Sequence, residues 1–426
     1  MPKIRRQIAA SAALGLVVLV AAACSQKPKE GLTVVQMWQF GGVPGCREWV
    51  REAVDHFNAT HDDIAIELEM RDWDAQRECI ISTTIVGEGP DIIFVHHKYA
   101  VEFGQLGGLL PLETFDDFDE VANHYLPNTL EQVAFEGKHY GIPVLMLPFV
   151  LAVNAELIEA RGLHIPQTWD DLLAMAPVLK EDGIYAFTMP GGANLDTAYR
   201  FLPLLYKAGG RVLNADGSAA AFNGPAGVAA LALLQLMQHD GFLPAASAAY
   251  KFDENAALWA SEKAAISIEG PWWQDIVADH YDFDLAKLVL APVPEPATPI
   301  EENRPGTLVD VVMASITGYT EVPQEAWEVL KALYVEHPVW QKPDPVMGGL
   351  PTQKAAFAPG RESPYVNLDV LASQGQVGIG WPGHPAITEI QRHIADAVNM
   401  VLSGEMEPQA ALDAAADQVN ELLNEY

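Results

Sequence analysis

Cysteine and basic side chains are what this chain is short of. Three cysteines occur in 426 residues, Cys24, Cys46 and Cys79, and none stands at the C-x-x-C or Cys/His spacing of a metal site. Lys and Arg total 25 against 57 Asp and Glu, a formal net charge of −32. So acidic a surface repels phosphate backbones, which sets nucleic acid aside as a partner, and it suits solubility at high salt, where self-repulsion is screened. Enzyme motifs are missing too: no HExxH, phosphate loop or GxSxG is present. Gly378, Gly380 and Gly383 match G-x-G-x-x-G in form, but Pro382 lies inside the match and no strand-helix-strand unit surrounds it. Among 57 acidic residues close carboxylate pairs arise by chance, so no glycosidase-like pair stands out. His96-His97 has no carboxylate or cysteine at ligand spacing and reads as a hydrogen-bonding pair rather than a metal site. Neither catalysis, cofactor nor metal is therefore expected.

One long apolar run exists, at the N-terminus. Lys3, Arg5 and Arg6 precede Ile8 to Ala23, the layout of a secretory signal over residues 1–23. The run is short for a spanning helix, and no later segment is apolar enough to span. VAAAC resembles the cleavage box of bacterial lipoproteins, with Cys24 the lipidated first mature residue and 24–31 a polar tether. Each buried acyl methylene contributes about 0.8 kcal/mol, so several chains hold a soluble domain at a membrane face. In that oxidising setting Cys46 and Cys79 are candidates for a disulfide, with two unrelated thiols as the alternative.

Half of the residues are apolar and 9% aromatic, enough for a large core and two domains. From Leu32 the pattern runs strand, helix, strand, helix, strand. LTVVQMW reads as a buried strand, Ile64, Ile66, Leu68 and Met70 alternate as in a half-buried one, and DIIFV at 91–95 is a continuous apolar run. This alternation predicts an α/β fold with a parallel sheet, in which ligands bind beyond the carboxyl ends of strands. Trp38, Gln39 and Phe40 after the first strand, and His96 to Tyr99 after the third, are therefore site candidates. Further on, Asn154 and the Thr168/Asp171 pair predict helix starts, and Pro225 a first helical turn. The stripe Ile387, Ile390, Ile394 and Val398 predicts a packing helix near the C-terminus.

In WASEKAAISIEGPWWQ at 259–274, Gly270 and Pro271 break a strand-like AAISIEG and leave Trp272 and Trp273 at its end. Large amphipathic rings there suit a ligand cleft. Asp310 interrupts the apolar TLVDVVMAS, and a buried carboxylate requires partners.

Several segments, in order, carry a family resemblance: GEGPDIIFVHHKY, GGLLPLE, GKHYGIPV, LAVNAELIEARGLHIPQTWDDL, SEKAAISIEGPWW, GLPTQKAA and VLSGEMEPQAALDAAADQV. Together they resemble the extracellular solute-binding proteins of bacterial ABC importers, the sugar-binding group in particular, from about Leu32 to the C-terminus. The resemblance implies two α/β lobes built from discontinuous segments, 32–145 plus 297–347 and 146–296 plus 348–426, closing on a ligand by hinge motion. It places crossings near Val144 to Pro148, in the proline-rich Ala291 to Pro299, and near Gly348 to Pro351. It implies that Trp272 is the stacking platform, with Trp273 an additional ring, and that His97, Lys98 and Tyr99 hold the family's polar-contact positions. Lys98-Tyr99, Val95 and Leu147 replace an Asp-Arg pair, a Trp and a Glu of maltose binders, which points away from maltose itself.

A sugar needs flat rings for its C–H faces and fixed polar groups for its hydroxyl rim. Trp38, Trp272, Trp273 and Trp381 can supply rings; Gln39, His97, Lys98, Asp196, Tyr199 and Asp310 can supply polar contacts. The leading expectation is a monomeric, lipid-anchored receptor that passes a carbohydrate to the transmembrane subunits of an ABC permease. Glycerol phosphates, polyols and other osmolytes are the rival ligands, and a glycoside-cleaving enzyme or a receptor binding metal through His96, His97 and tyrosines the rival classes.

Overall fold

The computed structural model describes residues 31–41, 44–303, 305–342, 346–358 and 367–425, and only the backbone of Pro44, Gly45, Cys46 and Asp74. The signal segment, Cys24 and most of the tether lie outside the described residues.

Two sheets organise the chain. The first has six strands in the order Leu350–Pro351, Ile142–Pro148, Val309–Ile316, Ile92–His96, Thr33–Phe40, Ile64–Arg71. In the edge strand Ile64 and Ile66 are buried and Glu67 exposed, as their alternation predicts. Thr33–Phe40 runs parallel to both neighbours, but Val309–Ile316 is antiparallel to Ile92–His96 and to Ile142–Pro148. The sheet is therefore mixed rather than parallel. The reason is topological: Val309–Ile316 returns from the second lobe and so enters the sheet at the end where Ile92–His96 leaves it.

The second sheet has four strands in the order Leu288–Ala291, Val150–Asn154, Ala264–Glu269, Tyr185–Phe187. Helices Leu195–Lys207, Pro225–His239, Ile387–Leu402 and Pro408–Leu423 contribute to the large core beside it. The capping box at Thr168 and Asp171 forms as the sequence predicts, with Asp171 N–H donating to Thr168 Oγ1 at 3.1 Å. Asn154 likewise accepts from Leu157 N–H, and Pro225 opens its helix.

The chain passes from the first sheet to the second at Phe149, between Pro148 and Val150. The proline-rich stretch, expected to be the return crossing, lies along the second lobe instead. Trp169 Nε1–H donates to the Pro294 carbonyl at 3.0 Å, and Glu301 accepts at Oε1 from Ala226 N–H at 3.0 Å. The return comes at Thr307 to Val309, where Val309 N–H donates to the Ile379 carbonyl at 3.0 Å. Here the glycine run has its use: a Cβ on Gly378 would meet the Val309 side chain at 1.9 Å. Leu350–Pro351, placed by the sequence at the third crossing, hydrogen-bonds within the first sheet, and Lys354 N–H still bonds the His124 carbonyl there.

Candidate functional site

Two strand ends bring charged groups to the first lobe's inner edge. His96 closes Ile92–His96, and Asp310 is the second residue of the antiparallel Val309–Ile316, whose Val312 lies opposite His96. Asp310 thereby stands level with the chain just beyond the strand end, 1% exposed. Its Oδ2 lies 2.8 Å from His96 Nδ1 and its Oδ1 2.9 Å from His97 Nδ1. Burial alone would raise the Asp310 carboxyl pKa, but His96 and His97 outweigh it and hold the carboxyl well below the usual carboxylate range. Burial also lowers the His96 imidazole, with Asp310 opposing.

Lys98 opens helix Lys98–Gln105 and is buried, its ammonium 5.3 Å from the Tyr99 ring and 5.9 Å from the Tyr199 ring. It donates to Gln391 Oε1 at 3.2 Å across the interface between lobes. Burial lowers its pKa to about 8, with Asp310 and Glu102 pulling the other way. A second cross-lobe contact runs alongside: Arg77 bonds Glu102 at 2.7 Å and reaches Glu389 at 3.4 Å.

The second lobe presents rings. Phe149, at the first crossing, stacks on Tyr199 with centroids 5.7 Å apart and meets Trp272 edge-on at 5.3 Å. Trp381 stands edge-on to Tyr199 at 5.4 Å, and His96 of the first lobe comes within 6.4 Å of the same ring. Trp272 precedes helix Trp273–Tyr281 and packs against the apolar clusters of both lobes. Trp381 Nε1 and His97 Nε2 are buried here without a hydrogen-bond partner among the described residues, while Tyr199, whose phenol burial pushes well above its usual range, lies within hydrogen-bond reach of Gln391 and Asp310. Each unpartnered atom costs roughly 1–3 kcal/mol until something meets it.

The structure thus brings together His97, Lys98, Tyr99, Tyr199, Asp310 and Trp381, with Trp272 joined through Phe149. Asp196 is partly exposed and pairs with Arg200 at 3.0 Å. The other candidates fall elsewhere. Trp38 lies under the Arg71 guanidinium at 3.4 Å, Gln39 is buried and accepts from Tyr334 Oη–H at 2.9 Å, and Phe40 is wholly buried in a first-lobe cluster. Trp273 is wholly buried 5.4 Å from Trp259, because the helix it begins turns it away from Trp272 into the core. Cys79 is a free thiol accepting from Arg71 at 3.3 Å; the side chain of Cys46 lies outside the described residues. No group of three or more metal-ligating side chains occurs among the described residues.

Sequence reading passed over Phe149, Gln391, Arg77 and Glu389. Two left a signal: Phe149 directly follows the first expected crossing, and Gln391 is an amide lying on the buried stripe of Ile387, Ile390 and Ile394.

Residues 45–336 match the bacterial extracellular solute-binding protein family. The chain belongs to that family. A binding protein of Brucella abortus is 24% identical over 419 residues, covering 96% of this chain and 97% of its own. The GacH receptor of Streptomyces glaucescens, solved unliganded and with acarbose, superposes with a TM-score of 0.79 at 20% identity, over 93% of this chain and 99% of that one. A solute-binding protein of an ABC transporter from Thermotoga lettingae, solved with α-D-tagatose, gives 0.76 at 23% identity, over 92% and 100%. At these identities the shared feature is the two-lobed fold. No helix among the described residues of this family member is long and apolar enough to cross a membrane.

Proposed function

We propose that this solute-binding protein captures a carbohydrate between its lobes and delivers it to the permease of an ABC importer, held at the membrane by lipid on Cys24. The observation that carries the ligand class is the meeting of rings with buried polar groups: Trp272, Phe149, Tyr199 and Trp381 beside Gln391, Asp310 and the unbonded Trp381 Nε1 and His97 Nε2. Rings match the C–H faces of a sugar, donors and a carboxylate match its hydroxyls, and each hydroxyl left unpaired costs roughly 1–3 kcal/mol. Acarbose and tagatose, bound by the two structural relatives, support the same class. A phosphorylated ligand fits less well, since Arg77 is already engaged by Glu102 and Glu389. The VAAAC segment supports the anchor.

A thermal-shift series on the mature chain against mono- and oligosaccharides, polyols and glycerol phosphates tests the reading. A ligand that binds only the folded state raises Tm by mass action. One or more sugars raising Tm is the expected result; a rise with glycerol phosphate and none with any sugar contradicts it.

A further inference from the structure

Beneath the ring wall lies a charge network that the ligand contacts do not use. Arg200, in helix Leu195–Lys207, has a side chain 2% exposed; it donates to Glu269 Oε2 at 2.5 Å and to Asp196 Oδ1 at 3.0 Å. Glu269 is wholly buried and accepts at Oε1 from Asn255 Nδ2–H and Ser267 Oγ–H, each at 2.9 Å. Thr188 Oγ1–H donates to Asn255 Oδ1 at 2.8 Å and extends the network across the sheet.

This pair is placed against the site in three ways. The Arg200 guanidinium carbon lies 5.7 Å from the centre of the Phe149 ring, within cation–π range. Glu269 ends strand Ala264–Glu269, three residues before Trp272, and sits opposite Val150, the neighbour of Phe149. Gly270, between them, leaves no room for a Cβ, which would come within 2.0 Å of the Trp272 ring. Arg200 also follows Tyr199 on the same helix. A buried ion pair is weak evidence of stabilisation, because hydrophobic residues of similar volume often serve as well. Its position accounts for it better: the planar guanidinium holds two carboxylates and lies against two ring faces, Phe149 at 5.7 Å and Phe252 at 5.6 Å.

Resting on the ligand-wall reading above, we propose that Arg200, fixed by Glu269 and Asp196, is a positioning residue for that wall, setting Phe149 directly and Trp272 and Tyr199 through it. The test is 19F NMR of the full mature chain labelled with 5-fluorotryptophan, with the Trp272 and Trp340 resonances assigned by Trp→Phe variants. Arg200→Met combined with Glu269→Gln removes both charges and leaves neither orphaned; Arg200→Lys keeps the charge but loses the fork. The expected result is that the Trp272 resonance shifts or splits in the double variant and in Arg200→Lys, while Trp340, in the first-lobe core, stays in place. An unmoved Trp272 resonance in either folded variant overturns the proposal. The measurement uses no sugar, so it succeeds or fails independently of whether a carbohydrate is the ligand. Arg200→Lys preserves the buried charge balance, so the question remains answerable should the double variant not fold.

Discussion

The walls that face each other between the lobes are chemically opposite. The first lobe contributes titratable groups, His96, His97, Lys98 and Asp310, clustered at strand ends. The second contributes Phe149, Tyr199, Trp272 and Trp381 and keeps its own ion pair, Arg200–Glu269, one layer below the surface. The difference follows from backbone geometry. Asp310 and the His96-His97 pair meet because an antiparallel strand starts where its neighbour ends, a place where polar chain ends converge. The rings come from a crossing, a helix face and a strand-breaking Gly-Pro, where side chains are carried sideways over a sheet. One wall is suited to reading hydroxyls, the other to stacking.

That division can be broken from either side. The largest effect is expected for Asp310→Asn, which keeps the shape and removes the carboxylate: a hydrogen bond to a charged group contributes roughly 1.5–3 kcal/mol, so sugar affinity by calorimetry falls by about tenfold to a hundredfold. Trp272→Ala strips stacking area from the opposite wall and is expected to lower affinity at least about tenfold, some 1.4 kcal/mol, with circular dichroism unchanged. Trp273→Phe sharpens the contrast between adjacent rings. Being core, it is expected to lower stability by about 1–3 kcal/mol in urea titration and leave affinity within about twofold.

The smallest effect concerns protons. Burial holds Lys98 at about 8, below its ordinary 10.5. The folded form then binds fewer protons than the unfolded chain between those values, so stability rises as pH climbs from about 8 to 10.5 and this residue adds no pH dependence below. Lys98→Met is expected to flatten that slope relative to the parent chain, measured as Tm against pH; parallel curves would show that Lys98 titrates as it does in water.

Much of this frame was legible in the residues. Ile64, Ile66 and the DIIFV run announce strands by period and composition, and Asp310 drew notice as a charge inside an apolar stretch. Less legible was the direction of Val309–Ile316, since local pattern does not record that the chain has left one lobe and come back. Trp272 and Trp273 look alike in sequence; only the start of a helix between them leaves one against the clusters of both lobes and sends the other into the core. Arg77 and Glu389 carried no signal, being ordinary charged residues 312 positions apart that meet only when the lobes do.

The most direct test is a calorimetric titration of one sugar, the strongest stabiliser in the thermal-shift series, into the parent chain, Asp310→Asn and Trp272→Ala. Affinity lost in both variants, with folded spectra retained, is the outcome the two-walled site requires. Parent-like binding in both would place the sugar elsewhere on the protein and contradict the account.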